Sequence, residues 1–90
     1  MIKDYVAPTT LVRSVMRKFG VPTYMMFTNN YEKCRTVKCY RLNDLDIGAM
    51  YDEIADVLRQ AGVRGFSLRL PESHYSFRPG SFIIRIPKSN

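Results

Sequence analysis

The sequence predicts a small α+β fold: an antiparallel sheet of four or five strands with two helices on one face. Three observations lead there. Two segments carry apolar residues at helical spacing between start and stop signals. Each is followed by a pair of short strand-like segments that read as a hairpin. The ninety residues suit one domain, 1–90, and should bury roughly 64% of the surface an unfolded chain of this mass exposes.

The first helix opens near Thr9 or Thr10, either of which can cap it, with Pro8 just before. Leu11, Val12, Val15, Met16 and Phe19 follow on one stripe, and Gly20 then Pro22 end it. Arg13, Arg17 and Lys18 occupy its other faces, so the helix is amphipathic and basic. Ahead of it, Ile2 to Val6 can form a short edge strand.

Thr23 to Thr28 is an aromatic and apolar run of strand type. Asn29-Asn30 supplies a turn, because asparagine tolerates the positive φ of tight hairpins. Tyr31 to Leu42 returns as the partner strand. Its alternation is imperfect: Lys33, Arg35, Val37, Cys39 and Arg41 share one parity, and Cys34, Thr36, Lys38, Tyr40 and Leu42 share the other. Neither set is cleanly apolar, which predicts a bulge or an exposed far half.

The second helix is the clearest element. Asn43 or Asp46 caps it, and Ile47, Met50, Tyr51, Ile54, Val57, Leu58 and Ala61 form an unbroken stripe until Gly62 stops it. Phe66, Leu68 and Leu70 then alternate with Ser67 and Arg69 as a half-buried strand that Pro71 ends. After a ten-residue connection, Phe82, Ile84 and Ile86 alternate with Ile83 and Arg85 up to Pro87. With the leading strand included, the order matches the ferredoxin-like split arrangement, in which two helices cover one face of an antiparallel sheet.

Cys34 and Cys39 fall on one strand, about 16 Å apart at 3.3 Å per residue. A disulfide needs Cα atoms within about 7 Å, so both are read as free thiols. His74 is the sole histidine, and with two cysteines it makes no zinc-type ligand set. No metal or cofactor is expected. There is no apolar stretch long enough for a membrane span, and the start Met1-Ile2-Lys3-Asp4-Tyr5 lacks a secretory signal. Together with free thiols this points to a soluble chain in the reducing cytoplasm.

Net charge is +6, but its distribution matters more. Asp44 to Gln60 holds five acids (Asp44, Asp46, Asp52, Glu53, Asp56) against one base, Arg59. The rest of the chain holds thirteen bases and three acids. Such asymmetry produces a directional field able to steer an anionic partner. The second helix must turn its apolar stripe onto the sheet and its acids outward. The other sheet face should then carry Ser67, Arg69, Ile83, Arg85 and some of Lys33, Arg35 and Arg41. Exposed arginines on strands also discourage edge-to-edge aggregation, so a merely solvated face is the plain alternative. The contact reading requires that Arg69 and Arg85 are not consumed by nearby carboxylates.

The connection Glu72 to Gly80 is long for a hairpin. It groups His74, Tyr75 and Phe77 beside Arg78. Aromatic faces stack on unpaired bases and arginine meets phosphate. The same residue types anchor protein interfaces. Phe77 could equally fold back as a lid and Pro79-Gly80 make a turn. Catalysis finds no support: Ser73 and Ser76 flank a lone histidine in a loop, Asp52 and Asp56 have no histidine partner, and no glycine-rich phosphate cradle occurs.

These residues predict a non-enzymatic protein that engages nucleic acid or a nucleoprotein complex through a basic sheet face and an aromatic/arginine loop. The candidate contacts are Arg35, Arg41, Arg69, Tyr75, Arg78 and Arg85. The alternative is a small inhibitor or regulator of the type phages and other mobile elements carry, docking on a host protein such as a nucleic-acid-processing or defence complex. In that case the acidic second helix could mimic phosphate charge. A third reading, a subunit of a larger assembly, would bury Ile83 and the Met25-Met26 pair in a permanent interface.

Overall fold

The computed structural model describes residues 7–39, 46–69 and 82–88. In chain order they form α1 (Pro8–Lys18), a 3-10 turn (Thr23–Met25), β1 (Met26–Asn30), β2 (Cys34–Cys39), α2 (Ile47–Gln60), β3 (Ser67–Arg69) and β4 (Phe82–Pro87). The expected strand at Ile2–Val6 lies outside the described residues.

The sheet order is β1-β2-β4-β3, and every neighbouring pair is antiparallel. It follows that β2 and β3 run parallel with β4 between them, bridged through α2: a split β-α-β unit. The arrangement is α+β and consistent with the ferredoxin-like one, with a difference in strand usage. In the ferredoxin-like arrangement a leading strand takes the slot inside the split β-α-β unit. Here β4 fills it. The sequence explains why, since Ile84 and Ile86 belong where burial is deepest: they are 0% and 4% exposed.

Both helices start and stop for local reasons. In α1 the N-cap is Ala7, with no side-chain cap, and Pro8 stands in the first turn. The expected capping threonines, Thr9 and Thr10, are therefore the second and third residues of the helix. Proline suits this place because its missing N–H would have had no intrahelical acceptor and its φ is already helical. In α2 the cap is Asp46, whose Oδ1 accepts from the Ala49 N–H at 3.0 Å. Each helix ends in the same double closure. The Val21 and Val63 N–H groups donate to the Met16 and Leu58 carbonyls, and Gly20 and Gly62 donate to Arg17 and Arg59. That motif needs a left-handed residue, and the two glycines supply it at φ 96 and 82.

The core lies between the helices and one sheet face. Val12, Val15 and Met16 from α1 meet Met50, Ile54 and Leu58 from α2 over Met26, Val37, Cys39, Ile84 and Ile86. Each large side chain buried here contributes about 1.5–3 kcal/mol. Across the helix layer, Lys18 Nζ pairs with Glu53 Oε2 at 2.6 Å. With the lysine side chain 67% exposed, that pair contributes under about 1 kcal/mol.

The first hairpin departs from expectation. Thr23–Met25 is a 3-10 turn rather than strand, and Asn29 and Asn30 belong to β1 instead of forming the turn. The reversal falls at Glu32-Lys33, closed by the Tyr31 N–H donating to the Cys34 carbonyl at 2.8 Å. The physical reason is register. With Met26 set opposite Cys39 in the core, Thr28 faces Val37 and Asn30 faces Arg35, which pushes the turn three residues on. The expected bulge in β2 is also absent among the described residues, where pairing with both neighbours is unbroken from Cys34 to Cys39. Its poor alternation has another source. Arg35 shares the core parity but lies at the sheet end, half-buried, while Cys34 is buried on the opposite side. Met26 belongs to the core and Met25 packs against it, so that pair is not the exposed patch a permanent interface would need.

Candidate nucleic-acid interface

Strand parity assigns each side chain to a face. Met26, Val37, Cys39, Ile84 and Ile86 meet the helices, so the residues between them face away. The ladder aligns these outward residues in two rows across the four strands. One runs Phe27, Lys38, Ile83, Arg69, and the next Asn29, Thr36, Arg85, Ser67. One step further, Tyr31 stands opposite Cys34. Neither helix packs over these rows.

The cations of this face lie on β2, β4 and β3, away from β1. Lys38 and Arg69 are directly opposite Ile83 on its two sides. Arg85 follows two residues along β4, on the diagonal from both. Adjacent strands are about 4.8 Å apart and diagonal neighbours about 7–8 Å, so the three lie within about 10 Å of one another at the backbone. That is close to one Debye length at 0.1 M salt, so they act on a polyanion together. Arg69 is exposed, while Lys38 and Arg85 are half-buried. The long apolar stems can lie along the sheet while the charged ends reach water.

No carboxylate shares this face among the described residues. Asp46, Asp52, Glu53 and Asp56 all belong to α2 or its cap, on the helix layer, and Glu32 sits at the hairpin tip. Among the described residues, Arg69 and Arg85 make no ion pair or hydrogen bond; the ion pair there, Lys18–Glu53, spans the two helices. Other bases do have local contacts. Arg13 Nη1 donates to Thr28 Oγ1 at 3.2 Å, and the Arg59 guanidinium lies 5.8 Å from the Phe66 ring centre.

The sequence-predicted residues thus separate. Arg69 and Arg85 come together on the sheet face opposite the helices. Arg35 does not join them: paired with Asn30 and Ile86, it projects on the helix side of the sheet. Its parity with Val37 and Cys39 decides this, and grouping it with the outward arginines is corrected accordingly. Arg41, Tyr75 and Arg78 lie outside the described residues. Three residues on the face were not singled out from sequence. Lys38 was assigned to a parity without a side being chosen for it, and Phe27 and Tyr31 were read only as part of a strand-like run and a strand start. Phe27 is 42% and Tyr31 53% exposed. Once Met26 is fixed as core, simple alternation along β1 puts both rings outward; that was the available signal.

Neither cysteine is bridged in a disulfide, with Cys39 in the core and Cys34 buried beside Pro87 on the far side. Among the described residues, no group of three metal-ligating side chains converges, and no helix is long and apolar enough to cross a membrane. No family model matches this chain, and comparisons with curated proteins and with solved structures return no match.

Proposed function

We propose that this protein is a non-enzymatic nucleic-acid-binding module that uses the helix-free face of its sheet. The observation that carries the reading is the grouping of Lys38, Arg69 and Arg85 around Ile83, on a face with no carboxylate among the described residues. A cluster of cations lowers the free energy of a nearby phosphate chain and gains further from counterion release. The apolar Ile83 at the centre gives contact area that ordinary solvated charge clusters lack. Among the described residues no helix stands over the face to enter a groove, so affinity comes from backbone contact and base-specific readout is weak.

A second reading keeps some support from the opposite side of the molecule. Asp52 and Asp56 are exposed one helical turn apart on α2, and could present phosphate-like charge to a protein that itself binds nucleic acid. Charge reversal separates the two. Arg69→Glu with Arg85→Glu should abolish the mobility shift of an oligonucleotide, and Asp52→Lys with Asp56→Lys should leave it intact or strengthen it. If the arginine pair is reversed and the shift persists, the sheet face is not the binding surface.

A further inference from the structure

We propose that the ligand of the sheet face opposite the helices is single-stranded nucleic acid, with bases stacked on Phe27 and Tyr31 and phosphates over Lys38 and Arg85. This rests on the reading of that face as a polyanion-binding surface, and it adds the strandedness and the orientation of the ligand.

The first support is where the rings stand. Phe27 and Asn29 alternate outward along β1, the strand that ends the sheet order on this side, and Tyr31 follows directly after it, its N–H bonded to the Cys34 carbonyl. At about 3.4 Å per residue, the two rings are some 14 Å apart along the strand, with Asn29 midway. Both are exposed, at 42% and 53%. An aromatic ring lying on a flat sheet can stack only on a base whose own face is uncovered. In a duplex every base face is covered by the next one, 3.4 Å away along each strand, and bases are reached only by an element that enters a groove. A flat sheet offers no such element, whereas a single strand can splay its bases onto rings at this separation.

The second support is the order of chemistry across the sheet. The rings stand on β1 and just past its end, Lys38 on β2, Arg85 on β4 and Arg69 on β3. Aromatic surface at one margin and positive charge further in match a chain whose bases and phosphates point in different directions. Such a strand runs roughly along β1, with bases outward over the rings and phosphates over the inner strands. Asn29, between the rings, offers an amide donor and acceptor to whichever base edge lies above it, which gives a modest preference.

The chain contains no tryptophan, so Phe27→Trp installs a single indole reporter at the proposed stacking position. Oligo-deoxythymidine and oligo-uridine of about 12 nucleotides serve as probes, within the site sizes such surfaces use, beside a duplex of equal length. The expected result is indole quenching and tighter binding with the single strands, and neither with the duplex. The two single strands together show whether the sugar matters. Phe27→Leu and Tyr31→Leu keep apolar bulk but lose the π face; each should weaken single-strand binding by about 5- to 150-fold and leave duplex binding unchanged. Equal binding of single strand and duplex, with no quenching and no effect of the leucine variants, overturns this inference while sparing the polyanion reading. Binding to none of the probes at low salt, by variants whose thermal unfolding matches the parent, overturns both.

Discussion

Removing positive charge from the uncovered face should change the salt dependence of binding by an amount the structure fixes. Consider the double substitution Arg69→Gln, Arg85→Gln. Three described cations occupy the face, and each phosphate neutralised on a single strand contributes about −0.7 to the slope of log K against log salt. Three contacts give a slope near −2.1, and Lys38 alone leaves about −0.7. Between about 50 and 200 mM salt, the parent should lose roughly 18-fold in affinity and the double variant only about 2.6-fold. Both side chains lie off the core and, among the described residues, make no ion pair or hydrogen bond. The fold should therefore change stability by no more than about 0.5 kcal/mol, which a urea midpoint verifies separately. The assay is fluorescence anisotropy of a labelled oligonucleotide across a salt series. Should the double variant keep the parent slope, the phosphates are met by cations elsewhere, with the basic side of α1 the first place to look, and the sheet-face reasoning fails.

Two further outcomes test the scaffold that holds this face. Ile54, at 0% exposure between α1 and the sheet, should cost about 2–5 kcal/mol on replacement by alanine, read as a lower urea midpoint; a smaller loss would mean the helix layer repacks over the gap. Asp46→Ala removes the acceptor for the Ala49 N–H and should cost about 1 kcal/mol, whereas Asp46→Asn, which keeps a capping oxygen, should cost much less.

The fold was legible where period and punctuation agreed. In α2, an unbroken stripe from Ile47 to Leu58, an aspartate cap and a terminal glycine all point the same way, and the helix forms over Ile47–Gln60. Ile84 and Ile86 likewise predicted an inward-facing strand and are buried. The first hairpin misled because local turn chemistry competed with register. Asn29-Asn30 is a good turn pair in isolation, but a turn there would set Met26 opposite Lys33, whereas the turn at Glu32-Lys33 sets Met26 opposite Cys39 and Thr28 opposite Val37, bringing Met26, Val37 and Cys39 together in the core. Side chains hundreds of atoms apart in the unfolded chain settled a matter that two adjacent residues only suggested. The placement of β4 in the central slot is of the same kind. Which strand ends up inside depends on comparing apolar content across the whole sheet, something no local window contains.

The face itself turned on a smaller ambiguity with a larger consequence. In a strand, a shift of one residue exchanges the covered and uncovered sides completely. For β3 and β4 the apolar alternation was strong enough to send Arg69 and Arg85 outward from sequence alone. In β2 it was not. Lys33, Arg35 and Arg41 shared the parity of Val37 and Cys39, so the charged and apolar signals contradicted each other within one strand. The apolar signal decides, because burying Val37 and Cys39 at 0% exposure gains more than moving a half-exposed arginine at the sheet end can lose. The same shift that takes Arg35 off the face puts Lys38 on it, and puts Phe27 and Tyr31 on the neighbouring strand beside it. A parity choice made by two small core residues thus replaces a surface of arginines alone with one that holds both rings and cations, and it is the coexistence of the two that makes strandedness a question the molecule can answer.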